Sequence, residues 1–129
     1  MATSGLDEKF VQSQKEKLEA LQGELRRVRD GLEEDARDRA EDEGDLSEHD
    51  AGDMSRSIYN REMDATVSQA MERRLEDIER ALEKVEEGTY GICDDTGEEI
   101  PRGRLEAVPE AIRTVEAQQR YERERRPPV

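Results

Sequence analysis

The chain has 129 residues and a net charge of −14, with 43% charged and 32% hydrophobic residues. That balance is too polar for a thick globular core, and it leaves either disorder or a long two-helix coil that buries one seam per helix. The acidity speaks against nucleic acid or an anionic membrane as the main partner and suits a basic protein surface better.

Residues 1–5 read as a lead-in, with Ser4 three residues before Asp7 as the N-cap of a first helix. That helix is expected from about Leu6 to about Asp42. Its apolar residues Leu18, Leu21, Leu25, Val28 and Leu32 step in alternating threes and fours, the a/d spacing of a coiled coil. Phe10 and Val11 extend the apolar side, while Gly23 and Gly31 lie off it and each cost ~1 kcal/mol against Ala. The segment 33–53 then carries eleven acids against two bases, so most of the net charge sits there. Gly44 and Gly52 bracket a predicted turn, where a positive φ is expected.

A second helix is expected from about Met54 to about Glu87, with the seam Met71, Leu75, Ile78, Leu82 and Val85. Met54, Ile58, Met63 and Val67 continue it less regularly. The two seams mirror each other about a point between Ala51 and Gly52, as an antiparallel pair requires, because helix rise is equal on both arms. Gly88 follows the last seam residue as a C′ glycine. Each arm would be ~50 Å long at 1.5 Å per residue.

Beyond it, Tyr90-Gly91-Ile92-Cys93 and Glu98-Glu99-Ile100-Pro101 flank Asp94-Asp95-Thr96-Gly97, which reads as a short β-hairpin. Pro109 is expected to open a last helix, with Val108, Ile112 and Val115 on its apolar side. Phe10, Val11, Ile92, Ile100, Leu105 and Ile112 are expected to share one small core. The fold class is therefore mostly α: a long antiparallel two-helix coiled coil over residues 6–88 with an acidic tip at about 44–53, a small hairpin-and-helix unit over 89–118 at the open end, and a charged helical tail over 119–129. One cysteine precludes an internal disulfide. With no signal-type apolar run and no stretch near ~20 apolar residues, the expected location is cytoplasmic.

The stretch 90–118 carries a specific signature. It reads Y-G-I-C-D-D-T-G-E-E-I-P-R-G-R-L-E-A-V-P-E-A-I-R-T-V-E-A-Q. It closely resembles the zinc finger of the DksA/TraR family of RNA polymerase-binding proteins, Y-G-x-C-x-x-C-G-x-x-I-x-x-x-R-L-x-A-x-P-x-A-x-x-C-x-x-C-Q. Tyr90, Gly91, Cys93, Gly97, Ile100, Arg104, Leu105, Ala107, Pro109, Ala111 and Gln118 match in register. Three of the four zinc cysteines are replaced: Cys93 remains, with Thr96, Thr114 and Ala117 at the other positions. A structural zinc site takes four thiolate or imidazole ligands. The single histidine, His49, lies in the distant acidic segment, so no zinc is expected.

The resemblance implies a coil whose tip enters the secondary channel of RNA polymerase. Family tips often carry D-x-x-D-x-A, and here Asp50-Ala51-Gly52-Asp53-Met54-Ser55 fits with Ser55 for the last Ala. Asp50, Asp53 and Ser55 are thus the expected polymerase-contacting residues. Asp53 also reads as an N-cap and Asp50 as a turn residue. Arg104, Arg120, Arg123 and Arg125 are candidate docking residues. Arg104 has a glutamate partner, Glu98 or Glu99, as its competing reading, and the tail arginines a solvated helix face. Ser47-Glu48-His49-Asp50 contains the letters of a catalytic triad, but neighbours in a turn do not form its geometry, and no enzymatic activity is expected. The expected protein is a monomer that binds RNA polymerase and not DNA or membrane. Cooperation with the nucleotide ppGpp is carried by the resemblance alone. Two other functions compete: a coiled-coil adaptor or stress protein without polymerase binding, and a Gre-type transcript-cleavage factor. The latter is disfavoured by the small size of the C-terminal unit.

Overall fold

The computed structural model describes residues 5–44 and 51–125; for residues 39, 42–44, 51–60 and 64 it describes the backbone alone. Four helices follow one another: α1 (Glu8–Gly44), α2 (Ala51–Glu87), α3 (Arg102–Ala107) and α4 (Val115–Arg125). They fall into two compact units, one of Met1–Leu21 with Glu76–Val129, the other of Gln22–Leu75.

In the first unit, α1 starts at Glu8 and is capped by Asp7; Ser4, the expected cap, lies outside the described residues. The Asp7 Oδ1 accepts the Phe10 N–H at 2.7 Å. The C-terminus of α2 closes as anticipated. Gly88 takes φ +82, its N–H reaches the Val85 carbonyl and the Thr89 N–H reaches that of Lys84, the two bonds of a Schellman motif. The buried faces are Phe10, Gln14 and Leu18 on α1 and Ile78, Ala81 and Lys84 on α2. Leu82 and Val85 of the expected seam are half-buried. The reason is that this part of α2 faces two neighbours, α1 and the chain that follows Gly88. Lys15 pairs with Glu86 at 3.4 Å, so the two helices run antiparallel here.

The segment after Gly88 folds as a knuckle, and its hairpin is shorter than expected. Among the described residues there is one antiparallel bridge, Ile92↔Glu99, and no extended strand. Two backbone bonds flank it, Cys93 N–H to Glu98 O and Ile100 N–H to Gly91 O. Gly91 (φ +93) and Gly97 (φ +74) supply the left-handed turns. Helix α3 was not foreseen. Its start follows Pro101, whose carbonyl accepts the Arg104 and Leu105 N–H groups. Pro109 does not open the last helix. Pro109 and Glu110 form a turn in which the Ala111 N–H bonds the Val108 carbonyl, and α4 begins only at Val115. The small core forms largely as expected: Phe10, Ile92, Ile100, Leu105 and Ile112 are buried, while Val11 is half-buried.

In the second unit, α1 and α2 also run antiparallel. Arg29 and Glu72 pair at 3.1 Å, and further on Leu32, Ala36 and Ala40 face Ser68, Ala65 and Arg61 across a shallow cavity of about 200 Å³. This changes the expected seam. Beyond Met71 the helix turns Ser68, Ala65 and Arg61 toward α1, leaving Met63 and Val67 47% and 38% exposed, and Val28 is 43% exposed. Gly44 is the last residue of α1 and Gly52 lies in the first turn of α2; the expected turn between them falls on 45–50, outside the described residues.

Candidate functional site

Two places carry the sequence-level site residues. The first is the acidic segment. Asp50 lies outside the described residues. Asp53 and Ser55 lie in the first turns of α2, which begins at Ala51; Asp53 is therefore inside the helix and not its N-cap.

The second is the knuckle, where the structure brings together all four finger positions. Cys93 is 2% exposed. Burial pushes its thiol up, but hydrogen bonds from the Thr96 hydroxyl and from the backbone N–H groups of Thr114, Thr96 and Asp95 outweigh it and hold the thiol below its ordinary value. Thr96 thus touches the sulfur, and its Oγ1 also accepts the Glu98 N–H at 3.2 Å. Thr114 caps α4: its Oγ1 accepts the Ala117 N–H at 3.2 Å. Ala117 is 1% exposed and fills the fourth position with a methyl group. One thiol, two hydroxyls already engaged in local bonds and a methyl do not fit zinc, which requires four soft or imidazole donors. No other cluster of three His, Cys, Asp or Glu arranged for a metal occurs among the described residues.

The knuckle is fastened by polar contacts that the sequence did not reveal. Lys84 of α2 is 2% exposed and its Nζ meets the Asp94 Oδ1 at 2.6 Å. One turn earlier, Arg80 grips the same carboxylate through both oxygens, Nε to Oδ2 at 2.9 Å and a terminal nitrogen to Oδ1 at 3.1 Å. Glu83 and Glu87 hold Arg80 from the other side. Partial burial pushes Asp94 up, yet the bonds from Arg80 and Lys84 pull harder and leave it below the usual carboxylate range. Arg80 is raised correspondingly, chiefly by its bond to Asp94. On the other flank Gln14 is fully buried, and its amide donates to the Tyr90 hydroxyl and the Leu105 carbonyl. Tyr90 passes the chain on by donating to the Pro109 carbonyl at 2.8 Å. Burial pushes the Tyr90 hydroxyl above its ordinary value.

The candidate docking arginines divide. Arg104 donates through Nε to the Arg113 carbonyl at 2.9 Å, where a glutamate partner was the competing sequence reading. It braces the chain just ahead of Thr114. Arg125 and Arg113 lie over the Tyr121 ring, at 4.8 and 3.8 Å from its centre, and Arg113 also bonds Asp95. Arg120 and Arg123 are exposed on α4. No helix among the described residues is long and apolar enough to cross a membrane.

The chain is similar to known proteins in sequence and in fold. Residues 88–123 match a family described as the prokaryotic dksA/traR C4-type zinc finger. The chain is 41% identical over 105 residues to General stress protein 16O of Bacillus subtilis, covering 79% of this chain and 62% of that protein. It is 40% identical over 77 residues to the RNA polymerase-binding transcription factor DksA of Caulobacter vibrioides, covering 60% of this chain and 54% of that one. The chain therefore spans less than two thirds of the length of either relative. Among solved structures, transcription factor DksA2 from Pseudomonas aeruginosa superposes with a TM-score of 0.70 at 29% identity, over 93% of this chain and 89% of that one. The RNA polymerase binding protein and transcriptional regulator Dks from Chlamydia trachomatis gives 0.59 at 27% identity, over 92% and 93%. The knuckle keeps the register of the matched finger while holding one of its four cysteines, so residues 88–123 carry a finger of the DksA/TraR family, and the chain as a whole resembles DksA proteins.

Proposed function

We propose that this protein is a non-enzymatic transcription regulator that binds RNA polymerase and presents Asp50, Asp53 and Ser55 inside the secondary channel to modulate initiation. The observation that carries this reading is the likeness to DksA2 over 93% of the chain, which takes in both long helices as well as the knuckle. The Caulobacter relative, named for RNA polymerase binding, supports the choice of partner. Physically, a pair of helices rich in carboxylates suits a narrow, basic channel, where electrostatic attraction aids entry. The knuckle is a metal-free base, and Arg104, Arg120, Arg123 and Arg125 are its docking candidates. The protein acts in the cytoplasm as a monomer, with no direct contact to DNA. Co-purification with core polymerase tests the partner: retention of the chain on immobilised polymerase supports the reading, and its absence at micromolar concentration refutes it.

A second reading has its own support. General stress protein 16O covers more of this chain than the Caulobacter protein does, 79% against 60%. On that reading the fold serves a stress adaptor that does not engage polymerase. The same retention experiment separates the two.

A further inference from the structure

We propose that the Arg80–Asp94–Lys84 clamp does the work of a metal in this finger, fixing the knuckle to the end of α2 without zinc. A zinc ion in such a unit joins two chain segments, here 93–96 and 114–117, through one centre. In this chain Asp94 ties the first of these segments to α2 and to the chain that leads into the second. It is the residue directly after Cys93, inside a turn closed by the Gly97 N–H on the Cys93 carbonyl. Its backbone N–H donates to the Ile112 carbonyl at 2.9 Å, two residues ahead of the second segment. Its carboxylate reaches α2 through three bonds of 2.6, 2.9 and 3.1 Å.

The burial of Lys84 shows why the contact has to be ionic. Ile78 and Ala81, on the same buried face, are fully covered, and Lys84 at 2% exposure takes its place there among them. An ammonium in that setting requires a carboxylate, and removing the partner of a buried charge costs far more than the pair itself contributes. Arg80, 34% exposed, orients the carboxylate from the rim and is balanced by Glu83 and Glu87. Sequence position fits the same logic: Arg80 and Lys84 are four residues apart on α2, so both point toward one spot.

The inference rests on the knuckle being metal-free and not on polymerase binding. Three proteins test it: wild type, Asp94→Asn, and Lys84→Met with Asp94→Asn. Each is unfolded with urea, with and without a chelator, and followed by amide hydrogen exchange. Asp94→Asn is expected to lower the folded-to-unfolded ratio by about 100-fold, as loss of one member of a buried pair does. It should also speed exchange at Cys93, Asp94 and Gly97 while leaving residues 25–40 of α1 unchanged. The double variant should recover most of the loss, since no unpaired ammonium remains, and it stays informative if the single variant does not fold. Chelator should change none of the three. Wild-type stability in Asp94→Asn, or a double variant no better than the single one, overturns the clamp. Unfolding of the wild type by chelator overturns the metal-free reading instead.

Discussion

The two units of this molecule are built from the same two helices by different means. In the first unit Leu18, Ile78, Ala81 and Leu105 are fully covered, and the buried Gln14 amide nitrogen and Lys84 ammonium find named partners. In the second, the seam beyond Leu32 is made of Ala36, Ala40, Ala65 and Ser68, and Val28, Met63 and Val67 lie outside it. The contrast teaches where each property resides. Fold identity is concentrated in the packed unit, whose knuckle matches the family finger. The proposed action rests on Asp50, Asp53 and Ser55, which belong to the other unit.

The comparison is sharpest in stability. Leu18→Ala or Ile78→Ala should cost about 2–5 kcal/mol in urea unfolding, the range for emptying a buried aliphatic site. Val28→Ala, at 43% exposure, should stay within about 0.5 kcal/mol. Equal losses at the three positions would break the distinction between the units.

Restoring the finger comes next. Because Thr96 and Thr114 touch the Cys93 sulfur and Ala117 bonds the Thr114 hydroxyl, the triple variant Thr96→Cys, Thr114→Cys, Ala117→Cys should bind one zinc per chain. Metal analysis of the wild type should show none. Zinc in the wild type, or none in the triple variant, would contradict the arrangement of these four positions.

A smaller effect is expected in acid. The Asp94 pKa is lower in the folded chain than in the unfolded one. Its stabilisation is therefore complete above about pH 4, the ordinary carboxylate value, and is lost as pH falls through the folded value. The stability gap between wild type and Asp94→Asn should be constant near neutral pH and shrink below about pH 4. A gap that persists unchanged into strong acid would mean that the charge of Asp94 is not what matters. Smallest is Gly88→Ala, which at φ +82 should cost about 1 kcal/mol through backbone strain, with open space around the new methyl.

What the sequence revealed follows the same division. The 3-4 spacing found Leu18, Leu25, Leu75 and Ile78, all buried, because a coiled-coil seam is a local periodic signal. It failed past Met71, where Ser68, Ala65 and Arg61 line the cavity against α1 and Met63 and Val67 lie exposed. Gln14 and Lys84 were invisible for another reason: what buries them is the knuckle folding back from later in the chain, a non-local event that no periodicity encodes. The helix expected at Pro109 was displaced because the Pro109 and Arg113 carbonyls are taken by Tyr90 and Arg104, so helical geometry resumes only where Thr114 can cap it. The four finger positions were placed by family resemblance, and the structure adds how a thiol, two hydroxyls and a methyl group pack where a metal's ligands stand in relatives.

The measurement that bears most directly on the account is in vitro transcription with the matching RNA polymerase in the presence of chelator, comparing wild type with the double variant Asp50→Asn, Asp53→Asn. The account predicts that the wild type alters transcript yield without zinc, and that the double variant keeps its helicity and its binding to polymerase but loses the effect. A wild type that is inert, or a double variant that is fully active, would contradict it.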